Sequence, residues 1–78
     1  MIKVKLFGKL REKFGNEILI NRREMMVEEL LNLLIKRDSS LSNIKKHIIF
    51  SINHRRAVEK EKIKEGDTVS VFITPTGG

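Results

Sequence analysis

The sequence predicts an α+β fold, a mixed sheet of four to five strands with one main helix packed across it. Three observations carry that prediction. Period-2 apolar runs recur near both ends and in the middle of the chain. One stretch alone, about Val27 to Arg37, carries a long helical stripe. And 78 residues suffice for one domain with one modest core.

The elements follow in order. Ile2, Val4 and Leu6 alternate with Lys3 and Lys5, the pattern of a strand with one buried face. "GKLREKFGN" interrupts it. Gly8 opens a loop, Leu10 and Phe14 are spaced for one helical turn, and Gly15-Asn16 signals a turn. "EILIN" is a second strand, and the short link predicts an antiparallel pair. In the helix, Val27, Leu30, Leu31, Leu34 and Ile35 share one face. Glu28 and Glu29 in its first turn and Lys36 and Arg37 in its last suit the macrodipole. Met25 and Met26, however, stand where Ser, Thr, Asp or Asn would cap it. "DSSLSNIKK" ends the helix, with a short turn carrying Leu41 and Ile44.

"HIIFSIN" is a third strand with Ile48, Phe50 and Ile52 on one face. Asn53-His54 is expected to turn the chain into a short strand at Ala57-Val58. "EKEKIKEGDT" reads as a polar connection apart from Ile63, closed by a turn at Glu65-Gly66-Asp67. "TVSVFIT" is the last strand. Val69, Val71 and Ile73 face inward, and Ser70, Phe72 and Thr74 face outward. The expected order is β-β-α-β-β-β, which is a β-grasp arrangement when the first and last strands are central parallel neighbours. The expected core is Ile2, Val4, Leu6, Leu30, Leu31, Leu34, Ile48, Phe50, Ile52, Val69, Val71 and Ile73.

Composition narrows the function. A chain of this size has no room for a deep catalytic cavity. It has no cysteine, which removes disulfides, thiolate metal sites and cysteine nucleophiles. Its two histidines alone make no standard structural zinc site. The alternating N-terminus is not a signal peptide, and no run nears the roughly eighteen apolar residues of a membrane span, so a cytoplasmic protein without membrane partners is expected. The net charge of +6 suggests acidic partners or nucleic acid. Against nucleic acid stands the absence of Tyr and Trp and of a glycine-flanked stacking motif. No nucleophile–base set and no phosphate loop is visible, so the chain is expected to be a carrier or co-substrate and not an enzyme.

Five segments in order, "LFGKLREKFG", "VEELLNLL", "INHRR", "IKEGDTVSVF" and a terminal "GG", resemble the ubiquitin-like sulfur carriers of the MoaD/ThiS family. The likeness spans essentially the whole chain. Phe7, Leu10, Arg11, Glu12 and Gly15 bring it nearest to the molybdopterin synthase small subunit. The resemblance implies a single domain over 1–78 with 75–78 as an extended tail. An activating enzyme of the ubiquitin-activating type would adenylate the Gly78 carboxylate with ATP and magnesium. A sulfur donor would convert it to a thiocarboxylate, and the synthase large subunit would receive the tail for molybdopterin synthesis. The chain itself would bind no cofactor and no metal.

Gly77 and Gly78 lack Cβ atoms, which suits a tail that must thread narrow active sites, and a side chain at 78 would crowd attack on the acyl carbon. Thr76 and Pro75 complete the tail, and Pro75 cannot donate a ladder hydrogen bond. Phe72, large and apolar on the outward face, is read as a docking residue, with Phe7 and Arg11 beside it. The competing reading of Phe72 is an edge contact with Ile49 or Phe7. Arg11 also reads as a solvated loop arginine, and His47 and His54 as surface or turn residues. Two positions depart from the family's pattern: Arg56 replaces an apolar contact residue, and Ile73-Thr74 replaces a Pro-Pro pair. Sequence leaves three further functions open. They are a protein modifier joined to lysines through Gly78, a sulfur carrier for thiamine or tRNA thiolation, and a small basic nucleic-acid-binding domain.

Overall fold

The computed structural model describes residues 1–74. Pro75, Thr76, Gly77 and Gly78, read above as the tail, lie outside the described residues. The elements run β1 (Ile2–Leu6), α1 (Lys9–Phe14), β2 (Glu17–Ile20), β3 (Glu24–Met26), α2 (Val27–Arg37), a 3-10 segment (Ser39–His47), β4 (Ile48–Ile52), β5 (Arg55–Ala57), β6 (Lys62–Lys64) and β7 (Val69–Ile73). Five strands form one mixed sheet in the order β2-β1-β7-β4-β5, while β3 and β6 form a separate ribbon.

The two ends of the chain meet at the sheet's centre. β1 and β7 are parallel, with Val4 opposite Val69 and Leu6 opposite Val71. β2 flanks β1 antiparallel, and β4 and then β5 extend the other side. The α2 helix covers the inner face, and Leu30 and Leu34 are wholly buried beside Val4, Val69 and Val71. Among the described residues no polar or charged side chain is buried with them. Each inward alternation read from the sequence points into this core, except that Ile73 is only partly buried against it.

The structure corrects the reading of the polar connection. "EKEKIKEGDT" contains β6, and its lone apolar residue, Ile63, is fully buried opposite Met25 of β3. Met25 and Met26 are therefore strand residues as well as the entry to α2. Strands of three residues, with two adjacent methionines in β3 and one apolar residue in β6, show no periodicity to read. The short strand after the Asn53 turn is also shifted. It spans Arg55–Ala57, and Val58 is 61% exposed.

The missing helix cap is replaced by one local bond and two tertiary ones. The Met26 amide donates to Glu29 Oε1 at 2.9 Å. The Val27 amide donates to the Glu61 carbonyl at 2.9 Å and the Glu28 amide to the Glu59 carbonyl at 3.1 Å. Backbone from the β6 approach thus satisfies donors that every helix start leaves open. At the far end, Asp38 accepts from the Ser40 amide and hydroxyl and pairs with Lys13 of α1 at 2.6 Å.

Candidate functional site

The site is built where β7 leaves the sheet. Its inward residues Val69 and Val71 are pinned between β1 and β4, so Phe72 must face outward. There it lies across from Ile49 of β4. The Phe7 amide donates to the Val71 carbonyl at 3.2 Å, which carries the chain one residue beyond β1 along β7. The two rings then meet edge to face, with centroids 6.1 Å apart and planes at 63°. Gly8, at φ +59°, turns the chain away into α1 immediately afterwards, in a conformation few other residues adopt.

Phe7 and Phe72 are therefore in contact, the bland alternative named for Phe72, yet the pair is not hidden. Phe7 is 42% exposed and Phe72 is half-buried. A surface depression of about 420 Å³ holds both rings with Lys5, His54 and Ser70. Arg11 lies elsewhere, on α1. It lines a neighbouring depression of about 200 Å³ with Phe7 and Asn16, and Phe72 is not part of that one. The structure thus joins two of the three expected docking residues and sets the third beside Phe7.

β7 ends at Ile73, and Thr74 is still held. Its amide and its hydroxyl both donate to the His47 carbonyl, at 2.8 and 3.2 Å. The root of the tail is thereby fixed against the end of the 3-10 segment, directly after Lys45 and Lys46. Sequence reasoning read that segment only as the end of the helix with a short turn carrying Leu41 and Ile44. Ile49 was named only as an edge neighbour, although its place opposite Phe72 follows from the β4–β7 register. The expected tail residues Pro75, Thr76, Gly77 and Gly78 fall outside the described part.

The groups whose ionisation the fold biases belong to caps, turns and ion pairs. Hydrogen bonds from Arg22, Lys13 and Arg55 hold Glu29, Asp38 and Glu61 below the ordinary carboxylate range. The Lys64 amide does the same for Asp67. Among the described residues no group of three His, Cys, Asp or Glu side chains could hold a metal ion. His54 is a turn residue at φ +69°.

A parallel central pair made by the chain's two ends, one helix across the sheet and an outward aromatic pair beside the last strand define a ubiquitin-like β-grasp protein. The chain belongs to the ThiS family, whose model matches residues 4–78. This is a family of ubiquitin-like sulfur carriers and modifiers, not of catalytic enzymes. Among solved structures it is similar to a putative molybdopterin converting factor, subunit 1, from Pyrococcus furiosus, at 26% identity and a TM-score of 0.69, covering 91% of this chain and 93% of that one. It is also similar to Urm1 of Sulfolobus solfataricus, at 28% identity and a TM-score of 0.63, covering 94% and 100%. A third likeness, at 19% identity and a TM-score of 0.61 over 97% and 96% of the chains, is to the Helicobacter pylori complex of molybdopterin-converting factor subunits 1 and 2. Comparison with curated protein sequences returns no match. No helix among the described residues is long and apolar enough to cross a membrane.

Proposed function

We propose that this chain carries sulfur on Gly78 for molybdopterin synthesis. The observation that supports this best is the family match, which runs through residue 78 and so takes in Gly77-Gly78. The likeness to a putative molybdopterin converting factor subunit supports that pathway.

The chemistry balances in two displacements. A Gly78 carboxylate oxygen attacks the α-phosphorus of ATP in an activating enzyme, and pyrophosphate leaves with magnesium offsetting its charge. A sulfur nucleophile then attacks the acyl carbon, and AMP leaves. With hydrosulfide the product is the thiocarboxylate directly. With a persulfide the product is an acyl disulfide, which a thiol must reduce to release the thiocarboxylate. The chain supplies the carboxylate and a rigid mount, and every catalytic group belongs to its partners. The large synthase subunit is the proposed recipient, as the Helicobacter complex of subunits 1 and 2 suggests by analogy.

Intact mass after incubation with the cognate activating enzyme, ATP, magnesium and sulfide should show one oxygen replaced by sulfur, and deletion of Gly78 should abolish the change. An unchanged mass with an enzyme demonstrably active on ATP refutes the reading. Mixing the thiocarboxylated chain with the large subunit and its sulfur-free pterin then tests the pathway. Lysine-linked adducts that vanish on Gly78 deletion, without sulfur transfer, point instead to a protein modifier.

A further inference from the structure

The five-stranded sheet has two outer strands, β5 and β2, and they meet water differently. β5 is short and charged: Arg55 and Arg56 are two of its three residues, and both are exposed. Charged side chains on an edge strand discourage another strand from pairing with it. β2 has no Lys, Arg or Pro, and its regular register with β1 contains no bulge. Its one charge, Glu17, stands at its start, and Leu19 is 54% exposed. The β2 edge is unguarded.

The register also fixes which backbone groups of β2 are open. The Leu6 amide donates to the Asn16 carbonyl at 2.9 Å, so Leu6–Asn16, Val4–Ile18 and Ile2–Ile20 are the bonded pairs of this ladder. Glu17 and Leu19 alternate with them, and their amides and carbonyls point away from β1 to the free edge. Among the described residues no hydrogen bond outside the ladder takes up these groups. The edge therefore offers an alternating row of acceptors and donors beside an exposed leucine. An antiparallel copy of the same strand matches that row.

We infer that two copies of this chain pair through β2 about a two-fold axis, joining their sheets into one. Faces and charges select the register. Any shift that sets the buried Ile18 and Ile20 against the outward row is excluded. Pairing Glu17 with Glu17 or with Leu19 brings the two carboxylates opposite or diagonal to each other. Pairing Leu19 with Leu19 avoids both. It puts Leu19 on the axis, where the copies exchange two N–H···O bonds, and sets Ile18 across from Ile20 of the second copy. This self-match of bonds, faces and charges favours a second copy over an unrelated strand. Lys3 lies beside Leu19 on β1, so the two Lys3 positions are three strand spacings apart, about 14 Å, where salt screens them. The two β7 strands are five spacings apart, about 24 Å, and run in opposite directions. Neither tail is covered, and the inference does not depend on the Gly78 reading.

The test follows full-length chain by sedimentation equilibrium and amide exchange from about 10 μM to about 1 mM, the range suited to a short seam. The average mass should rise toward that of two chains. The Glu17 and Leu19 amides should exchange about fivefold more slowly or better at the higher concentration, and those of Arg55 and Arg56 should not change. Leu19→Lys should weaken association about tenfold or more and remove the added protection. Leu19→Pro deletes the outward donor, spares the bonded pairs with β1, and should do the same. Val58→Lys changes an exposed apolar residue next to β5 in the same way and should do neither. Melting curves check folding, and Leu19→Lys alone decides if the proline variant unfolds. A chain that stays monomeric at the highest concentration overturns the inference. So does association that survives Leu19→Lys or is lost with Val58→Lys. Association without slowed exchange at Glu17 and Leu19 overturns it as well, because it shows contact through another surface.

Discussion

Asp38 joins three parts of the chain through one carboxylate. It ends α2, accepts from the Ser40 amide and hydroxyl, and pairs with Lys13 of α1. The Lys13 bond first, and then Ser40, lower its pKa from 3.8 to about 2. The folded protein therefore binds fewer protons than the unfolded chain between about pH 4 and 2, and stability is lost as pH falls through that window. Glu29, Glu61 and Asp67 are shifted in the same direction and add to the slope. Melting temperature is expected to decline from pH 4 to 2. Asp38→Asn should melt lower at pH 7 and decline less steeply, while the other carboxylates keep some slope. Asn53 shows the same economy of parts. At φ +52° it makes the turn without glycine, its side chain takes the Thr68 amide at 2.9 Å, and it donates to Asp67 at 3.1 Å. The sequence marked Asn53 and Asp67 as turn residues but could not show that the two turns are bonded to each other. Phe72 is a similar case. Its outward face was legible from alternation, and its contact with Phe7 depended on where the chain after β1 runs.

At the scale of elements, α2 depends on a strand that has little character of its own. Its first turn is capped by carbonyls of Glu59 and Glu61, and those residues are positioned by β6, which is anchored by Ile63 against Met25. Ile63→Ala removes a fully buried side chain and is expected to cost about 2–5 kcal/mol in urea unfolding. Amide exchange adds a sharper readout. The Val27 and Glu28 amides should lose protection along with those of β3 and β6, well before the β1–β7 pair. Unchanged exchange at Val27 and Glu28 would show that α2 holds its own N-terminus. The helix itself was legible because five apolar residues repeat at 3.6. The ribbon was not, because pairing of two three-residue segments far apart in sequence leaves no local signal.

Across the whole molecule, the central β1–β7 pair makes stability cooperative, since the first and last strands share the sheet's middle. Leu34 is wholly buried under that sheet. A domain of this size is worth roughly 4–12 kcal/mol at about 0.05–0.15 kcal/mol per residue. Leu34→Ala, at about 2–5 kcal/mol, is therefore a large share of the total. One urea transition with an unchanged slope and a lower midpoint is expected. Two separated transitions would show that the ribbon and α2 unfold apart from the sheet. The same rigidity bears on function. Bonds to His47 fix Thr74, so the mount of the tail moves with the core.

The sequence by itself determined the fold class, the main helix and the inward faces of the long strands, because period-2 and period-3.6 patterns are local and survive without a partner. It also supplied the five ordered segments, Gly77-Gly78 among them, that resemble the sulfur-carrier family. Only the tertiary structure decided which short segments pair, how α2 is capped, and which strands stand at the sheet's edges. Those outcomes depend on residues brought together from distant parts of the chain, such as Met25 with Ile63 and Val27 with Glu61. Backbone pairing is settled by such neighbours in space, and no run of adjacent residues records it.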